Sequence, residues 1–221
     1  IITFFITGVF VYLVFKISFL ESLLIGAVVS STDAASVFAI LRSQKLNLEG
    51  SLASLLEVES GSNDPVACML TLIILTLMGG GTVMNLIPLV ISQIVIGVMI
   101  GTLIAMASIY LIRHANFEIE SFYIIFIIAI AIIAYSLSEW MGGNGYLSVY
   151  ITGIIIGNSK IPHKKSIFQF FDGVSWLMQI LLFFLLGLLA FPSKIPSVMI
   201  KGISISIFMI FIARPIATFS I

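Results

Sequence analysis

The chain has 221 residues, of which 60% are hydrophobic and 9% charged, with 10 basic and 10 acidic side chains. A soluble domain carries roughly 25% charged residues, so this chain cannot cover a water-facing surface, and a bilayer is the solvent that fits it. The even charge balance gives no reason to expect nucleic acid as a partner, and a single cysteine, Cys68, excludes a disulfide within the chain. Cys68 lies in an apolar run and reads as a small core residue.

About 20 residues cross a bilayer core. In chain order, apolar segments fall at Ile1–Phe15, Ser18–Leu41, Leu52–Met78, Asn85–Ile112, Ser121–Ser138, Tyr146–Gly157, Ile167–Phe191 and Ser197–Ile221. The predicted fold class is therefore an all-α membrane protein, a multi-spanning helical bundle of about eight spans. Polar or glycine-rich breaks separate the segments at Lys16, Ser43–Gly50, Gly79–Gly81, Arg113–Glu120, Gly142–Gly145, Lys160–Lys165 and Pro192–Pro196. Both ends of the chain are apolar, and the expectation is an internal piece of a longer membrane protein. One side of the alternating loops collects Arg42, Lys45, Arg113, Lys160, Lys164 and Lys165, and the other only Lys16 and Lys194, with Lys201 just inside a helix. The first side is expected to be cytoplasmic. The segment from Ser18 then runs inward, that from Leu52 outward, and the last inward. Gly153 and Gly157 form a small-xxx-small pair suited to helix packing.

Ionisable groups within apolar spans face the bundle interior by default and carry function. Asp33, Glu57, Glu59, Asp64 and Arg214 qualify; Lys16, Glu21, Glu139 and Asp172 lie near segment ends, where solvation accounts for them. Ser30-Ser31-Thr32-Asp33 interrupts an apolar helix with four polar residues in succession, each able to bond local backbone in place of helix. Asp33 could cap a second half-helix running to Leu41. An unwound mid-membrane stretch of this kind frees carbonyls and exposes two half-helix ends, as ion sites require; a capped kink without a ligand is the alternative.

The second cluster is Glu59-Ser60-Gly61-Ser62-Asn63-Asp64-Pro65. On a helix Ser60 and Asp64 share one face and Glu59 and Asn63 the adjacent one. Pro65 lacks an N–H, which frees the Gly61 carbonyl. Carboxylate, hydroxyl and carbonyl within reach of one another suit a hard alkali cation; a polar packing seam is the plainer reading. Counted by helical rise, Asp33 lies roughly 20 Å below the outer end of its helix and Asp64 roughly 20 Å above the inner end of the next, both close to mid-membrane, so contact between the two clusters is expected. Arg214 lies toward the cytoplasmic end of the last segment, as Glu59 does in its own, and an ion pair between them is the cheapest arrangement. Snorkelling of Arg214 to the interface is the alternative.

Thr32-Asp33 on an interrupted helix, Glu59-Ser60-x-x-Asn63-Asp64 on the next and Arg214 much later resemble the type-1 monovalent cation:proton antiporters of the NhaP group. Arg42-Ser43-Gln44-Lys45-Leu46-Asn47-Leu48 and the run from Gly142 to Asn158 lean toward its bacterial potassium/proton members. The similarity covers the whole chain, residues 1–221, and implies an internal fragment of a cation/proton exchanger transmembrane domain, with early and final spans missing. It implies that Asp64 is the main carboxylate exchanging a proton for a cation and that Asp33, Ser60 and the Thr32 backbone help bind Na+ or K+. Asn63 would brace the interrupted helix, and Glu59 and Arg214 would form a structural ion bridge. It further implies no cofactor, a homodimer of the full-length protein, and residence in a bacterial inner membrane.

Proton and cation compete for one carboxylate. If the carrier reorients only when the site holds one or the other, exchange is obligatory. Asn63 cannot titrate where electrogenic relatives carry a second Asp, so the resemblance implies one-for-one, electroneutral exchange by alternating access, and a transporter instead of an enzyme. Two rivals are an intramembrane aspartyl protease, built on two membrane aspartates, and a non-transporting membrane subunit. The protease signatures Tyr-Asp and Gly-x-Gly-Asp are not the contexts found, which are Thr32-Asp33 and Asn63-Asp64.

Overall fold

The computed structural model describes residues 1–32, 52–81, 83–114 and 119–220, without the side chains of residues 53, 54, 57 and 83–85. Every regular element among them is helical. The all-α expectation holds, because nothing but a helix satisfies its own backbone in hydrocarbon without closing a barrel.

Helix α1, Ile2–Phe15, is apolar throughout and stops at Lys16, whose left-handed backbone (φ 51°) lets its N–H reach the Tyr12 carbonyl. Helix α2, Phe19–Ser30, starts from a capping box in which Ser18 and Glu21 satisfy each other's backbone N–H groups. Helix α3, Leu52–Met78, carries Pro65 within it, so the proline removes one ladder bond without ending the helix. Gly79–Gly81 ends α3, with Gly80 at φ 90°, a conformation that suits only glycine without strain.

Helices α4, Val83–His114, α5, Glu120–Trp140, α6, Gly145–Asn158, and α7, Lys164–Leu189, come next. After a 3-10 turn at Pro192–Lys194 come α8, Ile195–Phe208, a π turn at Met209–Ala213, and α9, Arg214–Phe219. Among the described residues, five stretches are long and apolar enough to cross a membrane: Val58–Met78, Leu86–His114, Glu120–Trp140, Lys164–Leu189 and Pro192–Phe219. Ile2–Phe15, Phe19–Ser30 and Gly145–Asn158 are shorter apolar helices. The chain is integral to a membrane.

The predicted interruption is present. Within the segment read as Ser18–Leu41, α2 ends at Ser30, and Ser31 is extended (φ −67°, ψ 143°). The half-helix expected beyond it, to Leu41, lies outside the described residues.

The chain divides into two compact units, residues 1–93 with 201–221, and residues 94–200. In the first, α1 and α2 form a hairpin whose backbones touch. A Cβ placed on Gly26 would lie 2.6 Å from the Phe4 carbonyl oxygen and 3.0 Å from the Gly8 nitrogen. Phe4, Leu23 and Ala27 form a buried cluster with Ile74 of α3, and Phe10 stacks on Phe208 with ring centres 3.8 Å apart.

In the second unit, α4 and α6 meet in the same way. A Cβ on Gly101 would lie 2.5 Å from the Ser148 carbonyl oxygen, and one on Gly97 3.0 Å from that of Asn144. The close approach lets the Thr152 hydroxyl donate to the Gly101 carbonyl at 3.0 Å. The packing pair seen among the described residues is thus Gly97 and Gly101, whereas a Cβ on Gly153 or Gly157, the pair expected from the sequence, meets nothing within 4 Å there. Those two glycines line an apolar cavity of about 270 Å³ with Ile127, Ile130 and Phe171, because the face of α6 that touches α4 is the one bearing Ser148 and Thr152.

Candidate functional site

The site forms where α2 stops. The Ser30 hydroxyl bonds back to the Ala27 carbonyl at 2.8 Å, and the chain then turns extended at Ser31. The carbonyls at a helix end have no partner within the helix. Here three successive carbonyls are met by side chains from elsewhere in the same unit. Asn63 Nδ2 donates to the Ser30 carbonyl at 3.4 Å, Arg214 Nη2 to the Ser31 carbonyl at 3.5 Å, and Ser60 Oγ to the Thr32 carbonyl at 2.6 Å.

The side chains of the break are engaged as well. Ser31 Oγ donates to Asp64 Oδ1. Thr32 Oγ1 donates to Glu59 Oε1 at 3.3 Å and accepts from Asn63 Nδ2 at 3.0 Å. Asn63 Nδ2 also lies 3.3 Å from Glu59 Oε1. The helical period of α3 explains why four of its residues converge. Ser60 and Asp64 lie on one stripe, Glu59 and Asn63 on the next, and both stripes face the end of α2.

Arg214 arrives by a different device. Its backbone N–H reaches five residues back, to the Met209 carbonyl, closing the π turn of Met209–Ala213. Pro215, next in sequence, has no N–H to donate. The extra residue in the turn rotates α9 relative to a straight continuation of α8, and π turns of this sort occur often at functional positions.

Six residues singled out from the sequence, Thr32, Glu59, Ser60, Asn63, Asp64 and Arg214, are therefore gathered at one place. Asp33 lies outside the described residues, as does the side chain of Glu57. The expected Glu59–Arg214 ion pair is not among the contacts of the described residues, where each of the two has other partners. Glu59 turns to Thr32 and Asn63, while Arg214 turns to the Ser31 carbonyl. An open helix end offers a concentrated set of acceptors, and the guanidinium takes one of them in place of a carboxylate. Sequence reasoning missed Ser31 as the direct partner of Asp64. The polar run at Ser30–Asp33 marked the break, but not which hydroxyl would face the neighbouring helix.

Ser31 and Thr32 are half-buried, and Asp64 and Glu59 are exposed on the described chain. The Asp64 carboxylate accepts from the Ser31 hydroxyl, and Ser60, one helical turn earlier on the same stripe, donates to the Thr32 carbonyl. Groups of this kind, all of them oxygen, suit hard cations over transition metals. No cluster of three or more His, Cys, Asp or Glu capable of holding a metal occurs among the described residues. The donors in the group, Asn63 and Arg214, hold backbone carbonyls and leave the Asp64 carboxylate to a hydroxyl.

Comparison with known proteins bears on the same segment. The family described as "Sodium/hydrogen exchanger, transmembrane" matches residues 1–221. The K(+)/H(+) antiporter NhaP of Alkalimonas amylolytica is 35% identical over 214 residues, 96% of this chain and 37% of that protein. The K(+)/H(+) antiporter NhaP2 of Shewanella oneidensis is 35% identical over 216 residues, again 96% of this chain and 37% of the relative. The probable Na(+)/H(+) antiporter 2 of Methanocaldococcus jannaschii is 31% identical over 201 residues, 82% of this chain and 46% of that protein. The chain thus spans 37% of the length of the K(+)/H(+) antiporters it matches. On the match of all 221 residues, the chain belongs to the sodium/hydrogen exchanger transmembrane family.

Proposed function

We propose that the full-length protein is a secondary antiporter that exchanges Na+ or K+ for H+ across the inner membrane of a bacterial cell. The observation that carries this reading is the placement of Asp64 against the broken end of α2, with Ser31 on its carboxylate and Ser60 on the next carbonyl. A carboxylate flanked by hydroxyl and carbonyl oxygens accepts either a proton or an alkali cation, and the two compete. Asp64 is the exchanging group. Thr32 and Ser60 contribute oxygens, and Asp33 is assigned to the same ion site from its position in sequence.

Asn63 and Arg214 hold the shape of the break, and Glu59 supports it through Thr32 and Asn63. Because Asn63 does not titrate, one charge is exchanged for one, and the cycle is electroneutral. Cation and proton are the cargo, no bound cofactor takes part, and no covalent chemistry is catalysed. The lipid bilayer surrounds the spans, and two copies of the full-length protein form the working unit.

The experiment is proton movement in sealed vesicles containing the purified full-length protein. Addition of sodium or potassium on one side should drive protons to the other, and comparing the two ions sets selectivity. Vesicles that show no cation-dependent proton flux with either ion would refute the assignment and favour a non-transporting membrane subunit.

A further inference from the structure

The apolar cavity of about 270 Å³ between α5, α6 and α7 is built wholly from the compact unit of residues 94–200. It contains none of the residues assigned to the cation site. We infer that this cavity is the acyl-chain slot of a binding site for an anionic phospholipid of the cytoplasmic leaflet, and that the lysines at its rim hold the headgroup.

The walls are apolar. Ile127 and Ala131 of α5, Val149 and Gly157 of α6, and Phe168 and Phe171 of α7 line it. Gly153 and Gly157 make the trough, since a Cβ on either meets nothing within 4 Å. Thr152 also lines the cavity, but its hydroxyl donates to the Gly101 and Ser148 carbonyls at 3.0 and 2.8 Å. A cavity with such walls offers water too few partners and takes an apolar occupant.

Its depth selects the occupant. The near end is lined by Ile161 and Ile167, at the connection between α6 and α7. On α5 it extends to Ala131, which lies roughly 16 Å along the helix from Glu120 by rise. A bilayer core is about 30 Å thick, so the cavity runs from one interface to about the midplane. That is the reach of one leaflet's acyl chain. A further membrane-spanning helix would need a seam continuing to the other end of α5 and α6, and that end is filled. The Tyr135 and Tyr146 rings meet there with centres 5.2 Å apart, and a Cβ on Gly145 would lie 2.7 Å from Tyr135.

The rim supplies the charge. Lys164 opens α7, and its Nζ lies 5.7 Å from the centre of the Phe168 ring, itself a wall of the cavity. The ammonium has three donors and gives one to the Ser159 carbonyl at 3.4 Å. Lys160 and Lys165 stand on either side in sequence and are exposed. Arg113 reaches the same end of the unit, since its neighbour Ile112 shares a buried cluster with Ile167. Against these, Glu120 turns to His163 at 3.2 Å, and Asp172 lies about two turns further into α7. Loops rich in lysine face the cytoplasm. The leaflet there is anionic, and basic pockets between spans on that side suit anionic headgroups. Free phosphate would meet the lysines but leave the apolar slot unfilled, so a lipid is the ligand that matches both parts.

The test uses the full-length protein in phosphatidylcholine vesicles carrying a small fraction of a photoactivatable lipid, with a diazirine on one acyl chain. The probe is either phosphatidylglycerol or phosphatidylcholine with the same chains, and cross-linked peptides are identified by mass spectrometry. The phosphatidylglycerol probe should label residues 127–131 and 149–157 at least about five-fold more than the phosphatidylcholine probe, the preference that one lysine near an anionic surface provides. Lys164→Gln combined with Lys165→Gln should bring the two probes to the same level. Gly153→Leu combined with Gly157→Leu fills the slot and should abolish labelling there by either probe, with the melting temperature in lipid-free detergent kept.

Absence of labelling in both segments of the wild type overturns the inference, because another part of the protein or a second copy then covers the cavity. Equal labelling by the two probes overturns it as well, and so does a phosphatidylglycerol preference that survives the lysine substitutions. The lysine variant alters only groups at the rim, so it decides the matter even if the leucines disturb the packing of α6.

Discussion

Asn63 shows how much a single side chain can settle at the broken helix. Its one amide nitrogen lies within reach of the Ser30 carbonyl, the Thr32 hydroxyl and the Glu59 carboxylate. All three are acceptors, so only a donor fits. Asn63→Asp would place an acceptor-only carboxylate among them, beside a like charge. We expect lost or stoichiometrically altered exchange and a loss of stability of at least about 1–3 kcal/mol, checked by thermal unfolding in detergent alongside transport. Glu59 and Arg214 make a second prediction at this scale. Because they contact different residues, Glu59→Gln and Arg214→Gln should be nearly additive in stability. Their coupling should fall well below the roughly 3–5 kcal/mol cost of breaking a buried ion pair, and a double-mutant cycle in detergent measures it. Most of the site was legible from the sequence, since polar residues in hydrocarbon are conspicuous: Ser30–Asp33, Glu59–Asp64 and Arg214 stood out for that reason. The pairings within it were not legible. They depend on where α2 ends to the residue and on the π turn before Arg214, neither of which hydropathy registers.

At the scale of elements, two backbone contacts hold the units in shape. Gly8 and Gly26 let α1 lie against α2, and Gly97 and Gly101 let α4 lie against α6. Glycines at such positions cannot gain a methyl without separating the helices. Gly101→Ala should destabilise by about 1–3 kcal/mol through overpacking against the Ser148 carbonyl. It should also weaken the Thr152 bond to the Gly101 carbonyl. The measurement is the apparent melting temperature in detergent, with Gly153→Ala, which meets open space, expected to leave it unchanged. The helices themselves were readable: the predicted Leu52–Met78 coincides with α3, and most other ends agree within a few residues. Helix boundaries follow the apolar runs, and the runs are long. The faces of contact were not readable, because Gly97, Gly101, Gly153 and Gly157 are alike in sequence and differ only in what lies opposite.

For the whole molecule, the described residues of the proposed cation site lie within one of the two compact units, residues 1–93 with 201–221. If Asp64 exchanges one cation for one proton, transport moves no net charge. Imposing a membrane potential on vesicles of the full-length protein should then leave the exchange rate unchanged, and a voltage-driven rate would sink the one-for-one reading. Competition of cation and proton for a single carboxylate stands or falls with Asp64→Asn in the same protein and vesicles. The amide keeps the size of the side chain and can still accept from Ser31, but it can neither bind a proton nor balance a cation. This variant should insert and unfold like the wild type while cation-driven proton flux is abolished for both sodium and potassium. Substantial flux through Asp64→Asn with either ion would show that the exchanging group lies elsewhere.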